Sequence, residues 1–97
     1  MIVQYLRHAN KEVIEAAEYY SRERFELGSE FPDAIDAAEA SIKAEPLVNE
    51  QFLSGIRRHL LDRFPYRIYY RMPDANTVRI IAVKHHSRRP GLGMRRT

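Results

Sequence analysis

A chain of 97 residues with 44% hydrophobic and 30% charged side chains reads as one globular domain, residues 1–97, because a second hydrophobic core would not fit. It contains no cysteine, which excludes disulfide scaffolds, thiolate zinc sites and a cysteine nucleophile, and no apolar run approaches the roughly 18 residues of a membrane span. The net charge of +3 is unevenly divided: five Lys and Arg face eleven Asp and Glu up to Ile56 (a balance of −6), and eleven face Asp62 and Asp74 beyond it (+9). A C-terminal half this basic and this rich in arginine points to an anionic partner or to a solvated basic face.

Ile2–Leu6 alternates weakly and predicts a short first strand. This start reads as a folded element rather than a targeting segment, so a cytoplasmic location is expected. His8 or Asn10 can open a helix. From Lys11 to about Arg24 the apolar residues Val13, Ala16, Ala17 and Tyr20 share one helical face, with glutamates filling the rest. Acidic residues early in this helix suit its positive end. Gly28 can end it, Ser29 can cap a second helix, and Pro32 then sits in the first turn. Phe31, Ile35, Ala38 and Ile42 continue the second apolar stripe to about Ala44, before Pro46. Two helices with so short a link predict a hairpin.

Leu47–Ser54 reads as a loop. After Gly55 the period shortens to two. Ile56–Leu61 predicts a strand and Asp62–Pro65 a turn. Tyr66–Met72 alternates strictly, with Tyr66, Ile68 and Tyr70 facing one way and Arg67, Tyr69 and Arg71 the other. Pro73–Asn76 reads as a turn. Val78–Lys84 is the most apolar strand, and its run VRIIAV suggests cover on both faces, with Arg79 toward an end. The expected order is β-α-α-β-β-β: an α+β fold with a helical hairpin on one face of a small antiparallel sheet.

The sequence lacks a phosphate loop, a GxGxxG turn, an HExxH helix and an EF-hand loop, so neither metal nor cofactor is expected. The chemistry concentrates in guanidinium and imidazole groups. Arginine's planar fork binds phosphate or carboxylate oxygens in pairs. Metal-free RNA cleavage would need a base, an acid and cations around the developing charge. His59, His85 or His86 could act as acid or base there, with Arg67 and Arg88 stabilising the phosphorane. The structural alternative is that these side chains hydrogen-bond or solvate the sheet.

The string Ile56–Tyr70, IRRHLLDRFPYRIYY, resembles the central signature of the RelE/ParE superfamily of bacterial toxins. Ile81–Pro90, IAVKHHSRRP, is similar to that family's last strand and following turn. Ala16–Tyr20 and Leu27–Phe31 resemble its helical hairpin. The resemblance implies the same β-α-α-β-β-β fold and the toxin half of a type II toxin–antitoxin pair. Its partner would be a cognate antitoxin with a flexible, often acidic segment, and operator DNA would be met only through that antitoxin.

Two targets are implied. ParE-like members are associated with inhibition of DNA gyrase, without nuclease residues. RelE-like members cut messenger RNA on the ribosome, and there the catalytic candidates are Arg67, Arg88, His59 and His86. Arg57, Arg58, Arg63, Arg71, Lys84 and Arg89 are candidates for binding target or antitoxin. The stretch after Pro90, GLGMRRT, lacks the aromatic that RelE-like nucleases commonly carry near the C-terminus, and the long hairpin looks ParE-like. Both features favour the gyrase reading. An inactive binding module with the same fold is a further alternative.

Overall fold

The computed structural model describes residues 1–87. The order is β1 (Ile2–Tyr5), α1 (Arg7–Glu23), α2 (Leu27–Ala44), β2 (Gln51–Leu53), β3 (Ile56–Leu60), β4 (Tyr66–Asp74) and β5 (Thr77–His85). The strands form one five-stranded sheet in the order β1-β5-β4-β3-β2. The expected order therefore holds, with β2 as an added edge ribbon inside the segment read as a loop. Gln51 pairs with Arg57 and Leu53 with Ile56 around Gly55, whose φ of 77° lies in the left-handed region.

The sheet is mixed rather than wholly antiparallel, because β1 runs parallel to β5. The whole hairpin of helices separates β1 from the meander, and such a crossover permits parallel entry. β5 lies between β1 and β4, and most of its residues are buried.

The helices begin earlier than the sequence pattern suggests. α1 starts at Arg7 and has no acidic residue in its first turn, and Leu6 at the N-cap offers no side-chain hydrogen bond. Glu12 therefore lies past the positive end of the helix. α2 starts at Leu27, so Ser29 and Pro32 lie inside it and Gly28 is helical rather than a terminator. Gly28 serves close approach instead: a Cβ there would lie 2.7 Å from the Ser21 Cβ on α1.

The main core lies between the helices and one sheet face. It contains Phe31, Ile35, Ala38 and Ile42 from α2, Ile68 and Tyr70 from β4, and Val78, Ile80 and Val83 from β5. Burying each large apolar side chain contributes about 1.5–3 kcal/mol. At one end Tyr20, Phe31, Phe64 and Tyr66 meet with ring centroids 4.9–6.2 Å apart. Each such ring pair adds about 0.5–1.5 kcal/mol.

A second, smaller cluster occupies the opposite face: Ile56, Tyr69, Ile81 and Ala82, with Leu6 and Phe52 packed against them. The register explains how one strand serves both clusters. Tyr69 pairs with Ala82 but Tyr70 pairs with Ile80, so β5 carries one extra residue at Ile81. Val78 and Ile80 face the helices before this bulge, and Val83 faces them after it. Ile81 and Ala82 both face the other way.

Turn chemistry also differs in one place. Pro73 and Asp74 belong to β4, and only Ala75 and Asn76 form the turn, where the Asp74 Oδ1 accepts the Asn76 N–H at 2.8 Å. Asp62–Pro65 is a turn as expected, with Arg63 at a φ of 70°.

Candidate functional site

Strand alternation sorts the basic side chains onto two faces. Tyr69 and its neighbours form the apolar centre of the face away from the helices. Arg58 pairs across the ladder with Tyr69. Arg67 and Arg71 share the Tyr69 side of β4 by the period of two. Arg71 stands directly opposite Arg79 of β5, and Arg67 opposite Lys84. Like charges placed opposite each other destabilise a ladder, so this face is primed for an anion.

Among the described members of this set, Arg58 and Lys84 have carboxylate partners. The Arg58 Nε and Nη2 donate to the Glu50 Oε1 at 3.0 and 2.5 Å, and its guanidinium lies 5.2 Å from the Phe52 ring centroid. Arg67, Arg71 and Arg79 make no ion pair among the described residues. Arg79 was absent from the sequence-derived site. Continuing the alternation of Tyr66–Met72 across the hairpin would have placed it beside Arg71.

The helical face treats its basic groups differently. Arg57 and His59 pair with Tyr70 and Ile68, both core residues. The Arg57 Nη1 donates to the Asn49 carbonyl at 2.7 Å and to the Leu47 carbonyl at 3.2 Å. The His59 Nδ1 lies 2.9 Å from the Asn49 Oδ1. The Asn49 Nδ2 donates to the Tyr70 hydroxyl at 3.0 Å, which itself donates to the Pro46 carbonyl at 2.5 Å. Together these bonds pin the segment that enters β2. Burial holds the His59 imidazole below its ordinary pKa, against a smaller opposing pull from Asp62. His59 is tied into this hydrogen-bonded segment.

The remaining candidates are dispersed. Arg63 sits in the β3–β4 turn, where its Nη2 lies 3.2 Å from the Glu30 carboxylate and its guanidinium 6.0 Å from the Phe64 ring centroid. Lys84 is buried and pairs with the Glu12 carboxylate, whose other oxygen accepts the Val83 N–H at 2.9 Å. Glu12 thus caps the β5 edge beyond the reach of β1. Solvent exclusion, then Arg67 and then His85 lower the pKa of His86, and a backbone hydrogen bond to Tyr66 opposes them. Arg88 and Arg89 lie outside the described residues.

A shallow cleft of about 370 Å³ opens at the outer edge of β3, lined by Val48, Asn49, Arg58, His59, Leu60 and Arg67. His59 and Arg67 approach it from opposite faces of the sheet. The structure thus brings Arg58, Arg67, Arg71 and Arg79 onto one surface and keeps His59 off it. Such a surface binds carboxylates or phosphates. No group of three His, Asp, Glu or Cys side chains among the described residues is placed to hold a metal ion.

The molecule thus carries a two-helix layer on one side of a mixed sheet and an arginine-rich face on the other. A family model, the ParE toxin of type II toxin–antitoxin systems (parDE), matches residues 3–90. The chain belongs to that family. Among solved structures, a chain of the chromosomal ParDE TA system from P. aeruginosa is similar, with 15% identity and a TM-score of 0.64. The match covers 88% of this chain and 95% of that one, and at this identity it establishes a shared fold. No curated protein sequence matches the chain.

Proposed function

We propose that this toxin is neutralised by a cognate antitoxin and arrests growth by binding DNA gyrase, not by cutting messenger RNA on the ribosome. The placement of His59 and Arg67 on opposite faces of the sheet, where both border one shallow cleft but His59 is held by Asn49, carries this reading. A metal-free ribonuclease needs its acid, base and cations around one phosphate. Here the His59 Nδ1 is engaged by Asn49 on the helical face, whereas Arg67, Arg71 and Arg79 occupy the other face. Membership of the ParE family supports the same choice.

The face around Arg67, Arg71 and Arg79 suits an acidic antitoxin segment, and operator DNA is met through the antitoxin. Among the described residues no helix is long and apolar enough to cross a membrane. The cytoplasm, where gyrase works, is the proposed location.

Pulse labelling after induction of the toxin alone tests the target. The gyrase reading predicts that thymidine incorporation falls before methionine incorporation. Methionine falling first would replace it with the ribosomal reading, and Arg67, His86 and Arg88 would become the catalytic candidates. Unchanged incorporation and growth would leave a binding module with the toxin fold.

A further inference from the structure

A second cleft, of about 470 Å³, lies between α1 and the end of β5, away from the apolar centre of the arginine face. Its walls are Tyr19, Tyr20, Tyr66 and His85, with Glu12 and Glu15 on the α1 side. Neighbouring rings are turned sharply to each other. Tyr19 and Tyr20 meet at 5.2 Å and 76°, Tyr20 and Tyr66 at 6.2 Å and 66°, and Tyr66 and His85 at 5.3 Å and 85°. This makes a box of aromatic walls rather than a single stacked column.

The charges favour a cation. Lys84 also lines the cleft, but the Glu12 carboxylate answers it. Glu15 makes no ion pair among the described residues. Glu23, one helical turn on from Tyr19, raises the pKa of the Tyr19 hydroxyl and adds a further carboxylate near that ring. The Ser87 N–H donates to the His85 Nδ1 at 3.0 Å, so that nitrogen is an acceptor and presents no proton of its own.

We propose that this cleft binds a guanidinium group, supplied by an arginine side chain of the antitoxin. Aromatic faces attract a cation through their quadrupole, and a planar guanidinium stacks on them better than an ammonium does. Glu15 accepts its N–H donors. A free cation approaching this toxin meets the repulsion of the arginine face, whereas one carried on an acidic segment is brought past it. That assignment of the source rests on the antitoxin reading above, but the chemistry of the cleft does not.

Ethylguanidinium is the probe, titrated into purified toxin while the tyrosine ring resonances are followed by NMR. The expected result is saturable shifts of Tyr19 and Tyr66, weakened about fivefold or more in both Glu15→Gln and Tyr19→Leu, and no comparable response to propionate. Both substituted residues are exposed, and the dispersion of the spectrum reports that each variant is folded. Absence of saturable binding, or binding undiminished in both variants, overturns the site. The same titration of the purified toxin–antitoxin complex tests the source. Loss of ethylguanidinium binding supports an antitoxin arginine in the cleft, and undiminished binding overturns that assignment while the site in the free toxin stands.

Discussion

At Gly28 the close contact with Ser21 makes a single methyl group consequential. Gly28→Ala must push the two helices apart or distort one of them, and it should destabilise the protein by about 1–3 kcal/mol despite alanine's better helix propensity. Chemical denaturation measures this directly. The Glu12 carboxylate serves two groups at once, Lys84 and the Val83 N–H. Glu12→Ala leaves a buried ammonium without its counter-charge, and a loss of about 3–5 kcal/mol in the same assay is expected.

His59 links stability to pH. Its pKa is lowered in the folded chain, so the unfolded chain binds more protons as the pH falls below the ordinary imidazole value of about 6.5. Its contribution is present above that value and is lost as the pH drops toward the folded pKa. Urea midpoints at about pH 5.5 and 7.5 should therefore differ more for the native chain than for His59→Asn, which retains a donor for Asn49.

Among the elements, those specified by local pattern were legible in the sequence, and those specified by pairing were not. The apolar stripes of α1 and α2, the alternation of Tyr66–Met72 and the turn at Asp62–Pro65 depend on neighbours a few residues away. The parallel entry of β1, the edge ribbon β2 and the bulge at Ile81 depend on partners far along the chain. The run VRIIAV shows the difference. Its composition announced cover on both faces, but only the register reveals that Ile80 and Ile81 go to opposite sides.

The candidate site divides in the same way. The concentration of arginine after Ile56 is plain in the sequence. Which arginines stay free depends on the segment 46–50, whose carbonyls and Asn49 side chain engage Arg57 and His59. Arg57→Ala should release that segment and cost about 1–3 kcal/mol, since it leaves carbonyl acceptors without their donor. Its faster amide exchange around β2 would report the loosening, and unchanged exchange would show that Arg57 is no tether.

For the whole molecule, the charge asymmetry of the sequence becomes a spatial division. The acidic N-terminal half forms the helical layer and one wall of the aromatic cleft, and the basic half supplies the open sheet face. In the proposed reading, acidic partners dock on the sheet. The proposed arginine of the antitoxin sits at the other end of the division, so neutralisation engages both signs of charge. Binding carried mainly by the sheet arginines is salt-dependent. Replacing Arg67, Arg71 and Arg79 together by Gln should weaken antitoxin binding at low salt by at least about tenfold and flatten its salt dependence, as read by titration calorimetry.

The central claim is that this toxin acts by binding gyrase and not by cleaving RNA. Supercoiling of relaxed plasmid by purified gyrase, with antitoxin-free toxin added at micromolar concentration, tests it most directly. The account predicts inhibition that persists in His59→Asn and is reversed by the antitoxin. Full supercoiling activity in the presence of folded toxin would contradict it.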